Sequence, residues 1–118
     1  MKSFTSDETA AVSNALKSHG VGQHIVRPFP SIECPVCHEG RILRYRYLRP
    51  RGTTGDALFG YVWCSHCMRY VGLMGPTPEW WVPEDALTQA EHEQFERDDV
   101  KGLEQMLKRV GALEQAIG

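Results

Sequence analysis

No stretch of this 118-residue sequence is apolar for long enough to span a bilayer. The opening residues, Met1-Lys2-Ser3-Phe4-Thr5-Ser6-Asp7, turn polar before the apolar core of a secretory signal could form. These two absences predict a cytoplasmic protein with no membrane attachment. Catalytic signatures are also missing. There is no G-x-S-x-G, no phosphate-cradling glycine run, no G-x-G-x-x-G and no H-x-E paired with P-C-x-x-C. The expectation is therefore a protein that is not an enzyme. No low-complexity segment occurs, and neither charge sign dominates: 13 Lys+Arg face 15 Asp+Glu, for a net −2. That balance excludes a polycation that coats nucleic acid or anionic lipid.

The charge is unevenly placed. Residues 1–83 hold nine Lys/Arg against six Asp/Glu, a net +3, and residues 84–118 hold four against nine, a net −5. Two faces with different jobs are implied. The length suits one domain with a modest core.

Thr5-Ser6-Asp7-Glu8 reads as a capping box that opens a helix, with Ala11, Val12, Ala15 and Leu16 as its apolar stripe and Gly20 as its stop. Val21 to Val26 reads as extended, ended by Pro28 and Pro30. Alternation then predicts strands. Over Arg41–Arg49, Leu43, Tyr45 and Tyr47 share one face and Ile42, Arg44, Arg46 and Leu48 the other. Leu58–Cys64 follows, with Phe59, Tyr61 and Trp63 on one face, and Met68–Met74 is a third strand. Pro50 to Asp56, with two glycines and two threonines, reads as a hairpin loop. Three prolines bar residues 76–83 from regular helix and suggest an extended arm carrying Trp80 and Trp81. Thr88-Gln89-Ala90-Glu91 opens a C-terminal helix, buried through Phe95, Val100, Leu103, Leu107, Val110 and Ile117. Asp98 or Asp99 could restart it, so one bent helix and two successive ones both fit.

Cysteine is scarce, and its four copies are placed tellingly: Cys34-Pro35-Val36-Cys37, twenty-six residues, then Cys64-Ser65-His66-Cys67. Two C-x2-C turns supply four thiolates, which is a tetrahedral set for one metal ion. In a reducing compartment such cysteines bind metal rather than form disulfides. Zinc is preferred, with rubredoxin-like iron as the alternative; the glycine that follows the second cysteine in a rubredoxin turn is replaced here by His38 and Met68. His66 is taken as a bystander, since four thiolates are already available. A closed four-thiolate site is structural and leaves no open position for catalysis.

The chain from about Ile32 to Met74 resembles a zinc ribbon. The C-P-x-C-x-x-G turn, the aromatic-basic strand and the W-C-x-x-C turn are similar to those of small bacterial zinc-ribbon proteins of unknown function, some of them immunity proteins. The resemblance implies one structural Zn2+, a local hairpin fold and a protein partner such as a cognate toxin.

Further residues point to surfaces. Arg41, Arg44, Arg46, Arg49 and Arg51 interleave with Tyr45 and Tyr47. They read as a solvated face offsetting the thiolates and the acidic helix, as a protein-binding face, or as a nucleic-acid surface. Trp63 is assigned to the core, whereas Trp80 and Trp81 are open between core and partner anchor. His92, Glu93 and Glu96 lack an H-E-x-x-H pattern and receive no metal role. The expected protein is thus a single α+β domain. It has an N-terminal helix and extended segment (1–30), a three-stranded antiparallel ribbon (31–75), a Trp/Pro arm (76–87) and an acidic helical end (88–118). Its expected task is to bind a protein through Arg44, Tyr45, Arg46, Tyr47, Arg49, Trp80 and Trp81, with nucleic acid as the alternative partner.

Overall fold

Two helix starts are set by the same four-residue device. Thr5 Oγ1 accepts from the Glu8 amide at 3.2 Å, and the Glu8 carboxylate accepts from the Thr5 amide at 2.9 Å. Thr88 and Glu91 repeat this at 3.2 and 3.1 Å. Each box satisfies two amides that the first turn of a helix leaves without partners. The computed structural model describes residues 2–21, 30–50, 56–76, 87–97 and 102–117. Most of the extended segment after Val21, the hairpin loop over 51–55, the arm with Trp80 and Trp81, and Asp98, Asp99 and Val100 lie outside the described residues.

Helix α1 spans Ser6–Ser18. It ends at His19, where Gly20 takes φ 75° and the Val21 and Gly20 amides donate back to the Leu16 and Lys17 carbonyls at 3.0 Å. This is a Schellman closure, and glycine serves the left-handed position. Strands β1 (Ile42–Pro50), β2 (Asp56–Cys64) and β3 (Tyr70–Pro76) form an antiparallel sheet in the order β1-β2-β3. Helices α2 (Gln89–Glu96) and α3 (Gly102–Ile117) follow. The acidic end is therefore two helices. The third strand starts at Tyr70 and not at Met68, because Met68 and Arg69 close the second cysteine turn.

Register carries the alternation across the sheet. Leu43 faces Trp63, and Trp63 faces Tyr70; Ile42 faces Cys64; Arg44 faces Val62, and Val62 faces Val71. Each face then has its own core. On one, Ile42, Val62 and Cys64 pack with Phe4, Val12, Val21, Ile32 and Cys34 beneath α1. On the other, Leu43, Tyr45 and Trp63 pack with Leu87 and with Met106, Leu107 and Val110 of α3. The alternation read for β1 and β2 holds, and helices cover both faces.

Two strand glycines have a packing reason. A Cβ at Gly60 would come within 3.0 Å of Arg46 Cγ, and one at Gly72 within 3.2 Å of Tyr61 Cε1. Each glycine sits opposite that residue in register. The bare backbone lets the stem of Arg46 and the ring of Tyr61 lie across the sheet.

The N-terminus does more than precede a helix. Lys2–Phe4 bridges to the start of β3 in parallel, with the Phe4 amide 2.8 Å from the Tyr70 carbonyl, and Phe4 enters the core. Glu8 also pairs with Arg69, just past the second cysteine turn. The Thr5 amide, and then Arg69 against a partial burial penalty, hold the Glu8 carboxyl below the usual range.

Leu107 is fully buried and its neighbour Lys108 is exposed. Leu107→Ala should cost about 2–5 kcal/mol in denaturant unfolding, and Lys108→Ala should stay within about 0.5 kcal/mol. Equal effects would contradict the packing of α3 on the sheet.

Candidate metal centre

The two cysteine turns are built alike. In the first, the His38 amide donates to the Cys34 carbonyl at 3.0 Å, and the Cys34 amide donates to the Gly40 carbonyl at 2.9 Å. In the second, the Met68 amide donates to the Cys64 carbonyl at 3.1 Å, and the Cys64 amide donates to the Arg69 carbonyl at 3.1 Å. Both turns reverse through a residue with positive φ, His38 at 58° and Met68 at 55°. That is the conformation glycine serves in such turns. The turn geometry is present without the glycine, so the missing glycines do not separate zinc from iron. They mark two strained positions, each costing about 1–2 kcal/mol.

The antiparallel register then brings the turns together. One precedes β1 and the other follows β2, so both lie at the same end of the sheet. Ser65 stitches them: its amide donates to the Arg41 carbonyl at 2.9 Å, and its hydroxyl accepts from the Arg41 amide at 3.0 Å. At the rim, His66 Nε2 lies 2.8 Å from Glu39 Oε2, and His38 Nδ1 lies 3.4 Å from Glu33 Oε2. These pairs are exposed, and His66 is engaged with Glu39.

The sulfurs of Cys34, Cys37, Cys64 and Cys67 all lie within 4.8 Å of one another. Cys37 Sγ and Cys64 Sγ are 3.5 Å apart. A tetrahedron with metal–sulfur bonds of about 2.3 Å has edges of about 3.8 Å, so the set fits one ion. All four cysteines are free thiols. Cys34 and Cys64 are buried, while Cys37 and Cys67 are half-buried.

Backbone dipoles are aimed at the sulfurs. The His66 and Cys67 amides each approach Cys64 Sγ at 3.4 Å. Burial drives the Cys64 thiol far above its ordinary range, and these amides offset only part of that. Burial also raises Cys67, against one amide from Arg69. At Cys37 burial acts in the same direction, but the Glu39 and Gly40 amides, with the neighbouring sulfurs, outweigh it and bring the thiol to about 6. Desolvation thus resists gathering several negative charges here, and a divalent cation at the centre reverses that by favouring the thiolate at each ligand. The four cysteines form a cluster able to coordinate a metal ion, and soft thiolates suit zinc.

Gly40 is the residue whose importance sequence reasoning understated. A Cβ there would lie 2.5 Å from Cys64 Sγ and 2.6 Å from His66 Cβ. Its place three residues after Cys37 marked a turn; only the fold shows that it lets the second turn press against the first.

The residues expected to form a binding surface are divided. Tyr45 and Tyr47 lie on the α2/α3 side of the sheet and Arg44 and Arg46 on the other, by strand alternation. Tyr45 is 1% exposed and Arg46 6% exposed, so both belong to the interior. Tyr45 Oη lies 2.9 Å from His92 Nε2 of α2, and the Tyr47 ring lies 4.4 Å from the His92 ring. His92 therefore fastens α2 to β1. A buried tyrosine hydroxyl needs a polar partner, but nothing in the local pattern assigns one 47 residues away. Arg49 pairs in register with Ala57; its side chain, with Trp80 and Trp81, lies outside the described residues.

Gly40→Ala should cost about 1–3 kcal/mol by overpacking and weaken metal binding in a chelator competition. His38→Gly should instead stabilise the loaded protein by up to about 1 kcal/mol. If Gly40→Ala binds metal as the parent does, the close approach of the turns is wrong. No protein-family model matches this chain, and comparisons with curated proteins and with solved structures find no match.

Proposed function

We propose that this protein is a non-catalytic module stapled by one structural zinc ion, whose task is to engage another protein. The carrying observation is the closed set of four sulfurs within 4.8 Å. Four thiolates fill a tetrahedral ion, so no position remains for substrate or water. The cluster and the antiparallel hairpin between its halves support a zinc-ribbon reading.

Zinc binding by thiolate and imidazole peptides is worth about 10–16 kcal/mol at neutral pH, against about 5–15 kcal/mol for the stability of a whole domain. The ion is therefore expected to decide whether the sheet forms. Elemental analysis of purified protein should give one zinc per chain, and chelation under reducing conditions should abolish the sheet signal in circular dichroism. A protein that stays folded without metal, or that carries iron, would overturn this.

The partner is read as a protein because the arginine-tyrosine strand is partly spent on the core. Phosphate binding needs accessible guanidinium groups, and Arg46 is buried. An immunity-type role, neutralising a basic toxin, is the finer form of this reading. The net −5 over residues 84–118 supports it, since complementary charge speeds association. Glu93 is exposed on α2. A cognate complex should weaken with salt and with Glu93→Lys. Salt-sensitive binding of DNA or RNA at low ionic strength, lost on Arg44→Ala, would instead favour a nucleic-acid ribbon. Among the described residues no helix is long and apolar enough to cross a membrane.

A further inference from the structure

The four sulfurs are not equivalent toward solvent or toward each other. Cys37 is half-buried at the rim, and Cys64 is 0% exposed. The two come from different turns, and their sulfurs are 3.5 Å apart. Gly40 keeps that approach open, since any Cβ there would sit against Cys64 Sγ. From this geometry we infer that Cys37 is an oxidation site for hydrogen peroxide, and that its oxidation replaces the metal staple by a Cys37–Cys64 disulfide across the two turns. The inference rests on the zinc reading above.

The chemistry balances in two steps. The Cys37 thiolate attacks one peroxide oxygen, the O–O bond breaks, and Cys37 sulfenic acid and one hydroxide form. The Cys64 thiolate then attacks the Cys37 sulfur, forming the S–S bond and expelling a second hydroxide. Two thiolates lose two electrons to one hydrogen peroxide, and solvent protons convert both hydroxides to water. Rim exposure admits the oxidant at Cys37. The adjacent buried sulfur of Cys64 captures the sulfenic acid before a second oxidant can. Only Cys34 and Cys67 then remain as ligands, too few to keep the ion. Because the new bond joins the same two turns as the metal did, it closes the same β1–β2 hairpin. The sheet is therefore expected to survive loss of zinc by oxidation but not loss by chelation.

The experiment uses the full zinc-loaded chain, hydrogen peroxide and a chromogenic zinc indicator. Release of one zinc per chain is expected, together with a fall from four free thiols to two and a retained sheet signal. Later addition of reductant with chelator should abolish that signal. Tryptic cleavage after Arg41 and Arg51 puts the two cysteine turns on separate peptides, so mass spectrometry should find them cross-linked through Cys37 and Cys64. A disulfide within one turn, any pairing through Cys67, or unchanged thiols in a zinc-loaded chain overturns the inference and leaves the zinc reading intact. Collapse of the sheet on oxidation overturns the exchange of staples. Purified protein without zinc overturns both.

Discussion

Four sulfur atoms from two turns, separated by twenty-six residues, meet at one end of a three-stranded sheet. Around them the protein has removed water and aimed backbone amides, so that the sulfurs are drawn together by the fold yet resisted by their own desolvation. A divalent cation would relieve that tension, and the two turns, the hairpin register and the core meet at this point. The hairpin register places one turn beside the other. Ser65 and Arg41 hold the seam, and Gly40 gives up its side chain so that the seam can close. Cys34 and Cys64 also belong to the apolar cluster beneath α1, which makes the metal centre continuous with the core and not an appendage to it.

Helices cover the sheet on both faces through different chemistry. On the α1 side the contact is aliphatic, led by Val12, Ile32, Ile42 and Val62, with the Glu8–Arg69 pair joining the helix start to the second turn. On the other side it is aromatic and partly polar, with Trp63 at the centre and His92 set against Tyr45 and Tyr47. Arg44 and Arg46 of β1 meet the first face, and Tyr45 and Tyr47 the second. A stripe that looks continuous in the chain is therefore split by the pleat. This division spends Tyr45 and Arg46 on the interior, while the ion pairs at the rim of the cysteine turns stay exposed.

Much of this organisation was legible in advance, and each legible part has a local cause. Capping boxes at Thr5 and Thr88 depend on residues three apart. Strand faces depend on a period of two. The cysteine turns depend on a spacing of three. What could not be read depends on pairs far apart in the chain. Phe4 enters the core only because Lys2–Phe4 lines up with Tyr70. His92 meets Tyr45 only because α2 crosses β1. The late start of the third strand at Tyr70 is a local exception, since Met68 and Arg69 are used to close the second turn on Cys64.

By itself the sequence determined most of the elements, the α+β class and the four cysteines that cluster, because propensity, alternation and cysteine spacing act within a few residues. Tertiary structure decided which side chains are spent on the interior and which remain at the surface. It also decided that Cys37 and Cys64 approach to 3.5 Å across the two turns, that Gly40 stands where the turns touch, and that His38 and Met68 bear left-handed strain. Those outcomes follow from strand register and helix docking, which sum many weak contacts across the whole chain and leave no mark on any short segment of it.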